Sequence, residues 1–146
     1  MATGAILIVD LGFQPDQLRS VIGYLEKAGF RYVLFKTPGK LREALSNPDN
    51  KLLLAGATSD SLPALRAQLQ EIARGPATIP AMVCFTHPPS DIKDDELMAP
   101  EIDDFCLAPI NPDDVLLRVR RLWRRCGFNQ DEIGPDFILV EATSPP

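Results

Sequence analysis

Short apolar runs, each the length of a buried strand, alternate with amphipathic stretches of helical spacing between residues 5 and 125, and few folds accept that rhythm. Ala5-Ile6-Leu7-Ile8-Val9 is continuously apolar, as expected for a parallel strand covered on both faces. Leu18, Val21, Ile22, Leu25 and Ala28 then recur along one helix face, behind Pro15 and ahead of Gly29. Tyr32-Val33-Leu34-Phe35 reads as a second strand. Thr37-Pro38 offers the cap and first turn of a helix with Leu41, Ala44 and Leu45 facing inward. Leu52-Leu53-Leu54-Ala55 is a third strand, and Leu62, Leu65, Leu69, Ile72 and Ala73 line the next helix. Ala81-Met82-Val83-Cys84-Phe85 is a fourth strand, residues Asp91 to Ala99 an acidic helix, and Phe105-Cys106-Leu107 a fifth strand. The last helix has Asn111 as cap, Pro112 in its first turn and Asp114 completing a box-like acidic start. Val115, Leu116, Val119, Leu122 and Trp123 line its inner face.

Five strands alternating with five helices predict an α/β fold, a doubly wound parallel sheet with helices on both faces. Right-handed crossovers gather functional groups at the carboxyl ends of the strands. With 146 residues there is room for one such domain. Residues 1–126 are expected to form it, and residues 127–146, which hold turn formers and the short run Phe137-Ile138-Leu139-Val140, a linker or tail.

The stretch DDFCLAPINPDDVLLRVRRLWRR, from Asp103 to Arg125, resembles the end of response-regulator receiver domains of two-component signalling. There an aspartate-bearing turn leads to a strand, a lysine-proline pair and an arginine-rich helix. The opening AILIVD is similar to the family's first strand, and the strand before Thr86 to its fourth. The resemblance spans residues 5 to 125 and implies a flavodoxin-like five-stranded sheet of order 2-1-3-4-5. It also implies phosphoryl transfer to an aspartate that ends the third strand. Acids after the first strand hold magnesium, a lysine after the fifth pairs with the phosphoryl oxygens, and a threonine or serine after the fourth reads the modification.

Position by position, this sequence departs from that chemistry. Asp10 matches the first of two adjacent acids, but Leu11 stands at the second. The phosphoacceptor position falls on Gly56, which has no nucleophile, and Ala108 replaces the lysine before Pro109. Thr86 matches the switch residue, and Pro109 the proline that in the family usually follows a cis bond. Asp60 lies four residues beyond Gly56 and is expected to cap or open the third helix. The resulting expectation is an atypical receiver, a pseudo-receiver that is no enzyme, takes no phosphate, and has no cofactor or metal. It would act by protein–protein interaction on an attached output domain or a partner. Residues Ile138 to Pro145 bear a short resemblance to the entry of the ATPase domain of enhancer-binding transcription activators, which makes transcription regulation the expected process. A small-ligand sensor using the emptied acidic pocket is the alternative. A flavodoxin-like enzyme would need a phosphate-cradling loop, for which Leu11-Gly12-Phe13-Gln14-Pro15 has one glycine.

Charge and cysteine usage narrow the setting. A net charge of -5 argues against nucleic-acid binding through the surface at large. No apolar run reaches the roughly 18 residues of a membrane span, and no secretory pattern opens the chain. Cys84, Cys106 and Cys126 have no metal-ligand spacing, so reduced thiols and a cytoplasmic location are expected. Cys84 and Cys106 fall on neighbouring strands, where packing is the expected role and a redox pair the alternative. His87, before Pro88-Pro89, is expected to be an exposed loop residue. Arg118, Arg120, Arg121, Arg124 and Arg125 make the last helix basic, while Asp94 and Asp95 make the fourth acidic. In the resembling family that region often forms a dimer face, so a homodimer through Arg118, Arg121, Asp94, Asp95 and Asp104 is expected.

Overall fold

The computed structural model describes residues 4–37, 39, 41–45, 47–73 and 79–125. The elements are β1 (Ala5–Leu11), α1 (Pro15–Lys27), β2 (Arg31–Phe35), α2 (Leu41–Leu45), β3 (Asn50–Ala57), α3 (Leu62–Ala73), β4 (Ala81–Phe85), α4 (Asp94–Leu97), β5 (Asp104–Leu107) and α5 (Pro112–Arg125). The strands pair in parallel in the order β2-β1-β3-β4-β5, the doubly wound order expected from the sequence. Pro38, Cys126 and residues 127–146 lie outside the described residues, and with them the expected second-helix turn, the third thiol and the tail.

Because strand side chains alternate, each apolar run feeds two cores at once. Ile6, Ile8, Leu52, Leu54, Met82, Cys84 and Cys106 pack with Leu18, Val21 and Leu25 of α1 and Val115, Val119, Leu122 and Trp123 of α5. Leu7, Val9, Leu53, Ala55, Val83 and Phe85 pack with Leu41, Leu62, Leu65 and Leu69 on the other face. Each fully buried Leu or Ile contributes about 1.5–3 kcal/mol, and that sum holds the strand ends in register. At the end of α1, Gly29 takes φ 89°, a left-handed turn that a side chain would resist, and the chain reverses into β2.

Three local expectations need correction. The acidic helix from Asp91 to Ala99 is instead a 3-10 turn, Pro89–Asp91, followed by the single α-turn Asp94–Leu97. It fully buries none of its residues, and only Leu97 packs on the core, so little packing is available to propagate it. Asp60 sits exposed in the turn before α3. That turn is closed instead by Thr58 and Ser61, the Thr58 amide donating to Ser61 Oγ at 2.9 Å and the Ser61 amide to Thr58 Oγ1 at 3.3 Å. At α5, Asn111 does cap, its Oδ1 accepting from the Asp113 amide at 2.9 Å. Asp114 does not complete a box, because its carboxylate is taken by Arg118 Nε at 3.1 Å and by the Cys106 thiol at 3.4 Å.

Candidate functional site

The carboxyl ends of the strands bring the expected residues together. Asp10 lies opposite Gly56, Leu11 opposite Ala57, and Gly56 opposite Cys84 in the parallel register. Thr86 follows β4 directly, and Ala108-Pro109 follows β5 through a cis peptide bond. Asp10, although placed as a metal-binding acid would be, is committed to the chain. Its Oδ1 accepts from the amides of Phe13 at 2.9 Å and Gly12 at 3.2 Å, and its Oδ2 pairs with Lys36 Nζ at 3.1 Å. The carboxylate thus organises the loop between β1 and α1. Leu11 packs on the core and offers no oxygen. Among the described residues, no three His, Cys, Asp or Glu side chains converge as a metal site.

Phe13, which sequence reasoning passed over, decides the shape of the site. It is 8% exposed and belongs to the core on the α1 and α5 face. Its ring lies against the backbone of Gly56. A Cβ built there would stand 2.7 Å from Phe13 Cγ and closer still to Phe13 Cδ2 and Cε2. No residue with a side chain, an aspartate included, fits at Gly56 while the ring keeps this place. The available clue was an aromatic residue two positions after the missing second acid, in the loop that faces the glycine. Beside the ring is an open cleft of about 400 Å³ bounded by Asp10, Leu18, Arg19, Ile22 and Lys36.

Thr86 ties the strand ends together. Its amide donates to the Ala57 carbonyl at 2.9 Å. Its hydroxyl donates to the Gly12 carbonyl at 2.9 Å, with the Ala57 carbonyl 3.2 Å away as the alternative acceptor. His87 is a correction: it is 7% exposed, not a surface loop residue. Its ring meets Phe85 edge-on at 5.8 Å between centroids, and neither nitrogen has a hydrogen-bond partner. Apolar packing onto a core phenylalanine outweighs the desire of the imidazole for water at this position.

On the other edge, Cys84 and Cys106 pair in register on β4 and β5 as free, buried thiols. Hydrogen bonding to Cys106 and burial push the Cys84 thiol well above its ordinary range, so it remains protonated and packs as a small apolar group. Cys106 leads outward to Asp114, and Arg118 bridges Asp114 at 3.1 Å and Asp104 at 2.8 Å. Burial lowers the Arg118 pKa, but the Asp104 and Asp114 carboxylates outweigh it and the net shift is upward. Two members of the expected dimer face, Arg118 and Asp104, are therefore paired within the chain, whereas Arg121, Asp94 and Asp95 are exposed. Met98, Leu107 and Leu117, the exposed large apolar side chains among the described residues, come from the same stretch of α4, β5 and α5. No helix among the described residues is long and apolar enough to cross a membrane.

No protein-family model matches this sequence, and no curated protein does. The fold has solved relatives. A response regulator from Desulfuromonas acetoxidans is 19% identical with a TM-score of 0.64, the match covering 84% of this chain and 98% of that one. A CheY-like response regulator receiver domain protein from Methanospirillum hungatei is 18% identical with a TM-score of 0.61, covering 90% and 98%. The pseudo-receiver domain of the CikA protein is 18% identical with a TM-score of 0.58, covering 86% and 99%. The chain therefore has the fold of response-regulator receiver domains.

Proposed function

We propose that this receiver-fold domain is a phosphorylation-independent signalling module that regulates by binding protein: an attached output domain, a partner, or a second copy of itself. The observation that carries the reading is Gly56 beneath the Phe13 ring, at the place where a receiver needs a carboxylate nucleophile. The departures at Leu11 and Ala108 support it, since a hard cation needs oxygen ligands and a phosphoryl group needs a cationic partner. In this reading the domain is not an enzyme, and it works among cytoplasmic regulators, with transcription control as the process served. The small-ligand alternative would have to use the cleft beside Asp10 and Lys36, because the Phe13 ring fills the space the absent aspartate would leave.

The binding surface in this reading is the edge formed by α4, β5 and α5. Exposed apolar anchors (Leu107, Leu117 and Met98) beside charged residues are the composition of a protein interface. Acidic α4 and basic α5 are complementary, which suits a second copy docking α4 against α5. Incubation with magnesium and acetyl phosphate followed by intact-mass analysis tests the core of the proposal. The expected spectrum is unchanged, and a labile gain of one phosphoryl group would overturn it.

A further inference from the structure

The loop between β1 and α1 is pinned from two sides at consecutive residues. Asp10 Oδ1 holds the amides of Gly12 and Phe13, and the Thr86 hydroxyl holds the Gly12 carbonyl. Between these anchors the Phe13 ring rests on Gly56, which lies between Asp10 and Cys84 in the sheet. Ring, threonine and three strand ends thus form one closed contact set, with the switch residue already drawn inward.

We propose that Phe13 is a resident latch: its ring takes the place of the absent aspartate side chain, retains Thr86 through the Gly12 carbonyl, and holds the surface beyond β4 in a single state. The domain is then a constitutive scaffold and not a switch. This rests on the reading of the domain as a non-phosphorylated interaction module and specifies its regulation. The two anchors fix the backbone from which the ring projects, so ordinary partners meet one conformation.

A double-mutant cycle on Phe13→Ala and Gly56→Ala tests the latch. The readouts are the urea midpoint and amide exchange at Thr86, whose amide is protected by Ala57, compared with Leu7 in the middle of β1. Phe13→Ala is expected to speed exchange at Thr86 by about tenfold while Leu7 keeps its protection. Gly56→Ala, which drives a methyl into the ring, should release Thr86 likewise. In the Phe13→Ala background it should cost little more, because the obstacle is gone. If Gly56→Ala folds only when Phe13→Ala accompanies it, that rescue is the same coupling and supports the latch. Additive effects, unchanged Thr86 exchange, or failure of the double variant to fold would each overturn it. Additive effects in a protein that still takes no phosphoryl group would remove the latch and leave the interaction reading intact. Phosphorylation of the unaltered protein would remove that reading, and the latch with it.

Discussion

Asp10 stands where the resemblance puts a magnesium ligand, and the chain itself engages its carboxylate. Two backbone amides and one ammonium group satisfy its carboxylate, and the side chain is 11% exposed. Charge-assisted bonds from amides to a nearly covered carboxylate are worth more than the ion pair to Lys36, whose side chain is 67% exposed and solvent-screened. Asp10→Ala is therefore expected to lower stability by about 1–3 kcal/mol, leaving two loop amides without their acceptor. Lys36→Ala should cost no more than about 1 kcal/mol. Urea midpoints of the two variants check this, and millimolar magnesium should leave the midpoint of the unaltered protein where it is. A rise with magnesium would mean that the carboxylate is a ligand after all. Tyr32 is a similar case of local control: burial and then Glu26 push its hydroxyl up to about 12, so it stays neutral and bonded to that carboxylate at 3.4 Å.

At the scale of elements, a short turn that fully buries none of its residues is followed by the shortest ion pair among the described residues. The α4 turn has no apolar stripe of its own, yet the connection from it to β5 is anchored to α3. Arg66 Nε meets Glu101 Oε2 at 2.7 Å, and the Glu101 side chain is 4% exposed. Asp103 then closes the start of β5 onto β4, accepting from the Ala81 amide at 2.7 Å and donating its own amide to the Ala81 carbonyl at 2.8 Å. Burial alone would raise the Glu101 pKa, but Arg66, a backbone amide and Gln70 together bring it below its ordinary value. A carboxyl whose folded pKa is depressed stabilises the fold above its unfolded pKa, near 4.3, and loses that contribution as pH falls through the folded value. Thermal midpoints measured across that acid range should fall, and Glu101→Gln should flatten the fall. Arg66→Ala should flatten it too, at a cost of about 1–3 kcal/mol at neutral pH. An unchanged acid limb in both variants would place the acid sensitivity elsewhere.

At the scale of the whole molecule, the charge pattern sorts into groups spent within the chain and groups left for a partner. Arg118 is spent on Asp104 and Asp114, so a substitution there disturbs β5 and α5 before it disturbs any interface. Arg121 is exposed and is the cleaner probe of self-association. Arg121→Glu is expected to weaken a dimer several-fold without moving the thermal midpoint, since like charges across an interface repel while an isolated exposed arginine contributes little to folding. Sedimentation at several concentrations reads the association directly. Identical sedimentation of the variant and the unaltered, associating protein would move the interface off α5.

The parallel pairing of the strands and the groups missing at two strand ends were legible from local evidence, whereas the strand order came with the resemblance. Apolar runs such as Ala5-Ile6-Leu7-Ile8-Val9 can be buried on both faces only inside a parallel sheet, and Gly56 and Ala108 lack the needed atoms in any conformation. Helix length in the acidic stretch was not legible, because charge spacing resembles a helix whether or not a packed stripe exists to sustain it. Nor could spacing reveal that His87 turns inward, that Arg118 closes on Asp104, or that Phe13 covers Gly56. Arg118 and Asp104 stand 14 positions apart, and Thr86 reaches Gly12 across 74. The amino-acid order by itself determined the period of each element and the chemistry each strand end lacks, because both are properties of neighbouring residues. Only the tertiary structure decided what fills the vacated position, because the ring, the glycine and the threonine meet only after three strands have paired in register.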